Sequence, residues 1–105
     1  MNRALGSLGL AMRAGRVQSG EENCLKLVKA GASFLLLIDA GASAASKKTA
    51  TDACAHYNVP YRLIPAGDLG QAIGKSGRMV AAITDRTFAE RLAALLEDAA
   101  KQSID

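Results

Sequence analysis

The stretch "SFLLLID", residues 33–39, is a continuous apolar run closed by a serine at one end and an aspartate at the other. A strand with one wet face alternates apolar and polar residues, whereas a strand covered on both faces does not need to. Residues 33–39 therefore predict a central strand with helices on both sides, and the flanking segments supply them. Ahead of it, "SGEENCLKLVKAG" (19–31) predicts a helix. Ser19-Gly20 followed by Glu21 and Glu22 reads as its start, since first-turn carboxylates oppose the positive end of the helix dipole, and Gly31 is its stop. Cys24, Leu27, Val28 and Gly31 fall on one face of this helix, and Glu22, Lys26 and Lys29 on the opposite one. Behind the strand, after the turn-like "DAGAS", "AASKKTATDACAHYN" (44–58) predicts a small-sided helix with Ala50, Cys54 and Tyr57 on one face, stopped by Pro60.

The same pattern continues outward. Leu5, Leu8 and Met12 predict a first helix over residues 3–13 that stops at Gly15, and "RVQSG" (16–20) a short extended piece. On the far side, "YRLI" (61–64) reads as a strand, "GDLGQAIG" (67–74) as a short helix and "MVAAIT" (79–84) as a strand. Phe88, Leu92, Leu95, Leu96 and Ala99 mark a last amphipathic helix, for which Thr87-x-x-Glu90 fits a capping box, and "KQSID" (101–105) reads as a frayed tail. The order is α-β-α-β-α-β-α-β-α. Such alternation with short connections predicts an α/β fold: a three-layer α-β-α sandwich with helices on both faces of a four-stranded, mostly parallel or mixed sheet. Residues 1–105 read as a single domain.

Composition narrows the function. Half of the 105 residues are hydrophobic, so the chain is too apolar to be disordered, and no stretch is long enough to span a membrane. Residues 1–80 hold ten Lys/Arg against five Asp/Glu, and residues 81–105 three against five, so the basic surface belongs to the first three quarters of the chain. That distribution points mildly to a polyanion partner. Cys24 and Cys54 with the lone His56 cannot make a four-ligand zinc site, and two small buried cysteines in a reducing cytosol are expected instead. Cys54 and His56 are expected to be a buried pair rather than a nucleophile and its base. No catalytic constellation stands out elsewhere, so the chain is expected to be a cytoplasmic, monomeric, non-enzymatic protein without metal or cofactor.

A glycine-rich stretch, "QAIGKSGRMVAA" (71–82), suggests phosphate binding. A nucleotide P-loop needs four residues between its first glycine and Gly-Lys-Ser/Thr, whereas only three separate Gly70 from Gly74-Lys75-Ser76 here. Gly74-Lys75-Ser76-Gly77 also matches the Gly-x-x-Gly loop of KH-type RNA modules, but the strand-like "MVAAIT" follows where a second helix should. A plain turn with its lysine in water stays open.

Taken together, "LGLAMRAGRVQSGEENCLKLVKAG", "LLLIDAGASAASKKTATDACAHYNVPYR" and "LGQAIGKSGRMVAAITDRTFAERL" resemble the kink-turn-binding large-subunit ribosomal protein family of archaea and eukaryotes, and in particular its bacterial branch of the YlxQ type. The resemblance covers nearly the whole chain and implies a mixed sheet, RNA binding and no catalysis. The family signature Gly-x-Asn-Glu-x-x-Lys corresponds to Gly20-Glu21-Glu22-Asn23-Cys24-Leu25-Lys26, with the Asn-Glu pair in reversed order. Gly20 would admit the RNA backbone, Lys26 would hold a phosphate, and Glu22 and Asn23, flanked by Glu21, would read base edges. The family's second contact is the loop before its last strand, here Ile73, Gly74, Lys75, Ser76, Gly77 and Arg78, more basic than usual. Arg16 and Lys29 would neutralise further phosphates. Lys47 and Lys48 are a third candidate contact, or an exposed pair at a helix end. The implied partner is a kink-turn-like RNA, ribosomal in kind, with ribosomal or transcription proteins as further candidates. The reversed Glu22-Asn23 order motivates a second reading, a protein-interaction module that has kept the fold and lost the RNA preference.

Overall fold

The computed structural model describes the backbone of residues 2–104 and the side chains of residues 3–97. The elements follow in the predicted order: α1 (Asn2–Arg13), β1 (Val17–Ser19), α2 (Glu21–Lys29), β2 (Leu35–Asp39), α3 (Ala44–Tyr57), β3 (Tyr61–Ile64), α4 (Asp68–Ile73), β4 (Val80–Ile83) and α5 (Arg86–Ile104). The backbone of the segment expected to fray is thus helical as far as Ile104, while its side chains and Asp105 lie outside the described residues.

The four strands form one mixed sheet in the order β1-β4-β2-β3. β4 runs antiparallel to both neighbours, with Ser19 opposite Ala81 on one side and Ile38 opposite Val80 on the other, whereas β2 and β3 are parallel. Every residue of β2 is buried, as its unbroken apolar run requires. Leu35 and Leu37 point into the layer formed with α1, α4 and α5, together with Val17, Ile64, Ala81 and Ile83. Leu36 and Ile38 point into the layer formed with α2 and α3, against Cys24, Val28, Ala50 and Cys54. Each of the four side chains gains about 2 kcal/mol by leaving water, so β2 ties the two helical layers to one sheet.

Four local expectations need correction. In α1 the buried stripe is Ala4, Ser7, Leu8 and Ala11, and Leu5 and Met12 sit at its edges. In α3 the inner face is Ala50 and Cys54; Tyr57 is 41% exposed, because the helix ends there at left-handed Asn58 and Val59 takes the inward place. His56 is exposed and packs edge-on against Tyr57 (centroids 4.6 Å apart), so it forms no buried pair with Cys54. Two residues along a helix lie on nearly opposite sides, and only Cys54 can face the sheet. Finally, α5 is capped by Asp85, whose carboxylate accepts the Phe88 N–H (2.9 Å), so Thr87 lies inside the helix instead of capping it.

β3 is an edge strand, and its outward Tyr61 and Leu63 are exposed. Arg62 guards that edge: its guanidinium donates to the Tyr61 carbonyl and to Glu97 of α5, both at 2.7 Å. A charged group on the edge hinders pairing with another strand.

β2 ends in the buried carboxylate of Asp39, which accepts N–H groups from two loops: Gly41 (2.7 Å) and Gly67 (3.0 and 3.2 Å to its two oxygens). Removing the carboxylate strands both donors in a poorly hydrated place. Asp39→Ala should therefore cost about 3 kcal/mol in urea unfolding, and a midpoint within error of the parent would show that these bonds do not hold the loops.

Candidate nucleic-acid interface

The C-terminal ends of β1, β2 and β3 and the N-terminal end of β4 lie at the same end of the sheet, and α2, α3 and α4 begin there. The first turn of α2 leaves β1 through Gly20. Its N–H still pairs with the Val80 carbonyl (3.1 Å), while φ +98° turns the chain into the helix, a backbone angle that side-chain-bearing residues rarely adopt. No side chain caps α2. Its positive end is faced by Glu21 and Glu22, and Ser46 of α3 donates to Glu21 (3.4 Å), which sets the start of α3 beside it.

The loop after α4 consists of two closed turns. Gly74 ends the helix in a left-handed conformation, with its N–H on the Gln71 carbonyl and the Lys75 N–H on the Gly70 carbonyl. Arg78 N–H then returns to the Lys75 carbonyl (3.4 Å), with Gly77 at φ +81°. This double turn delivers Arg78 to the tip of α2, so close that a Cβ on Gly20 would lie 3.0 Å from Arg78 Nη1. The result is an open cleft of about 500 Å³ lined by Ser19, Gly20, Glu21, Glu22, Asn23, Lys26 and Arg78. A second cleft of about 410 Å³ adjoins it on the other side of Arg78, between Asp39, the α4 turns and Met79.

The cleft combines the two kinds of group that nucleic-acid recognition uses. Lys26 and Arg78 are cations, and Glu21, Glu22 and Asn23 present acceptors and an amide donor. Lys26 is 3.7 Å from Glu22, with both side chains largely in water. An exposed pair of that kind is worth a few tenths of a kcal/mol and is readily exchanged for a phosphate. Asn23 donates to Gln18 Oε1 (3.3 Å), which holds its amide over the end of β1. Beneath them lies Cys24, its thiol aimed at the Gln18 and Val80 carbonyls. Burial pushes that thiol up to about 11, against the opposing pull of a backbone hydrogen bond and the Arg78 charge, and burial also raises Cys54 to about 11. Both cysteines stay neutral and serve as packing groups.

Of the residues singled out in the sequence, Gly20, Glu21, Glu22, Asn23, Lys26 and Arg78 meet in one cleft, and Gly74, Ser76 and Gly77 line its neighbour. Lys75 is exposed on the double turn. Lys47 closes the first turn of α3 and Lys48 follows it, paired with Asp52 at 3.0 Å. Ile73 is not a surface contact: it is 5% exposed and packs in the core, because α4 needs an apolar anchor there. Arg16 and Lys29 are not at the tip either. Arg16 precedes β1 and its carbonyl receives Thr84, after the far end of β4, while Lys29 closes α2. Sequence reasoning missed Ser19, Asp39, Gly70 and Met79; the pairing of Val17–Ser19 with Ala81–Ile83 is the signal that would have brought Met79 and Arg78 to Gly20.

Residues 2–93 match the ribosomal protein L7Ae/L30e/S12e/Gadd45 family. The chain belongs to that family. Among relatives it is 42% identical to a Bacillus subtilis protein named RNA-binding protein YlxQ, over 86% of this chain and 91% of the other. A protein of the same name from Enterococcus faecium is 33% identical, over 90% of this chain and 92% of its own length. Among solved structures, a Bacillus halodurans protein of unknown function superposes with TM-score 0.88 at 36% identity, covering 92% of this chain and 99% of that one. A Giardia lamblia 15.5 kDa RNA-binding protein superposes with TM-score 0.76 at 22% identity, covering 90% and 84%, and shares the fold. These matches agree with the L7Ae-type mixed sheet described above. Among the described residues of this L7Ae-family chain, no helix is long and apolar enough to cross a membrane, and no His/Cys/Asp/Glu cluster could hold a metal ion.

Within α4, Gly70 is what lets the double turn sit so close: a Cβ there would lie 2.8 Å from the Lys75 carbonyl. Gly70→Ala gains about 1 kcal/mol of helix propensity, but it must displace backbone. The variant should be less stable by about 1–3 kcal/mol in thermal unfolding, with amide resonances of residues 74–78 shifted. A more stable protein with an unmoved loop would contradict this packing.

Proposed function

We propose that this chain is a non-catalytic RNA-binding protein that recognises a kink-turn-like structured RNA, ribosomal in kind, in the cytoplasm and as a monomer. The observation that carries the reading is the meeting of Gly20 and Arg78 at one cleft with Glu22, Asn23 and Lys26. Gly20 has no side chain to keep the RNA backbone away. Lys26, Arg78 and Lys75 take phosphates, while Glu22 and Asn23 offer an acceptor and an amide to base edges exposed by a kink. The curated relatives, named for RNA binding, and the guarded β3 edge support the RNA and monomer parts of the reading.

Gel-shift titrations with a kink-turn hairpin and a plain duplex of equal length test it across a salt series. Affinity for the hairpin should exceed that for the duplex and fall steeply with salt. Lys26→Ala should weaken hairpin binding about tenfold, and Lys75→Ala with Arg78→Ala should flatten the salt dependence by nearly two contacts while base preference stays with α2. Equal affinity for hairpin and duplex would sink the kink-turn assignment.

A further inference from the structure

Two cations expected to neutralise phosphates, Arg16 and Lys29, lie away from the α2 tip toward the other end of the sheet, and a third joins them. Arg16 receives Thr84 through its backbone carbonyl (2.9 Å from the N–H, 3.1 Å from the hydroxyl), and Arg86 follows two residues later. The Arg86 guanidinium carbon lies over the Phe34 ring, 4.9 Å from its centroid. Lys29 stands two residues before Gly31, which lines the same cleft as Phe34 and Arg86. Arg16, Lys29 and Arg86 make no ion pair among the described residues, unlike Lys26 and Lys48 at the other end. The acids nearby are Asp85, whose carboxylate caps α5, and Glu90, which lines the cleft.

Arg86 lines a cleft of about 410 Å³, walled also by Phe34, Tyr57, Asn58, Pro60 and the first turns of α5; Arg16 and Lys29 lie outside its walls, at the same end of the sheet. Tyr57, which the expected packing of α3 would have buried, is 41% exposed on its rim. An exposed aromatic ring in one cleft with a cation free of ion pairs, and further cations nearby, is the combination that single-stranded nucleic acids use: a base stacks and the phosphates find charge. A guanidinium stacked on an aromatic ring still directs its N–H groups outward, so Arg86 remains able to bind phosphate. Glu90 in the cleft can accept a hydrogen bond from an amino-bearing base.

We propose that this end of the sheet is a second nucleotide-binding surface, taking an unpaired RNA segment with a base against Tyr57, the adjoining phosphate on Arg86 in the same cleft, and the flanking phosphates on Arg16 and Lys29 beyond it. The strands hold it about 15 Å from the α2 tip, too far for one nucleotide to touch both, so the protein contacts two separate segments of its RNA. Charge favours RNA over an acidic or neutral protein partner here, because Arg16, Lys29 and Arg86 outnumber the nearby carboxylates Asp85 and Glu90 and none of the three is held in an ion pair among the described residues.

Tyrosine fluorescence tests this independently of kink-turn recognition. The chain has two tyrosines and no tryptophan, so Tyr61→Phe leaves Tyr57 as the reporter. Short oligocytidylate at low salt should quench it saturably, and oligouridylate, which lacks the amino group, more weakly. Arg16→Glu with Arg86→Glu should weaken binding about tenfold and reduce the salt slope by about 1.4. That variant should fold, because Arg16 bonds through its backbone and a carboxylate suits the first turn of α5. Lys26→Ala with Arg78→Ala should leave the quenching intact. Binding without quenching, binding that survives the charge reversal but fails in the tip variant, or equal quenching by polyglutamate would overturn the proposal.

Discussion

A strand buried on both faces has to end where a polar group can be satisfied. In β2 that group is the carboxylate of Asp39, almost wholly out of water and held by the N–H groups of Gly41 and Gly67. One side chain thereby fixes the turn into α3 and the turn into α4 against the sheet. The Asp39 N–H also donates to the Met79 carbonyl at 2.8 Å, which aligns the entry to β4. The loops at this end are therefore set by the core, and a site built on them needs little ordering when a ligand arrives.

The cleft at the α2 tip follows from that constraint together with the direction of β4. Because β4 runs antiparallel to β1, its first residues come up beside the last residues of β1, and Arg78 arrives at Gly20. Two close approaches make the arrangement possible: Arg78 against the bare Cα of Gly20, and the Lys75 carbonyl against that of Gly70. Gly20 stands out in the sequence, and Gly70 does not. Gly20 matters through its left-handed backbone and through what it leaves room for, and Gly70 matters because it lets the turn that carries Arg78 pack down on α4.

Much of this was legible in the sequence. The unbroken run at 33–39 called for helices on both sides, and the alternation of elements gave their order. Gly20, Glu22, Asn23 and Lys26 were found together because they fall in one contiguous stretch, at the start of α2, that matches the family signature. What failed had physical reasons. Arg16 is close to Gly20 in sequence, but an extended strand carries it about 3.3 Å further away with each residue. Tyr57 and His56 fell outside the core because α3 ends at Asn58, and Ile73 fell inside it because a six-residue helix needs its last apolar side chain as an anchor. Thr87 lost the cap to Asp85, whose shorter reach from just outside the helix meets the Phe88 N–H. Arg86 drew no notice because its partner ring, Phe34, lies on a different element.

The central claim is that α2 and the double turn after α4 act as one RNA site. Backbone amide NMR during titration with a kink-turn hairpin tests it most directly. The account expects the resonances of Gly20, Asn23, Lys26, Gly77 and Arg78 to move along a common binding curve. Shifts in α2 with an unmoved 74–78 loop, or shifts confined to the β3 edge, would contradict it.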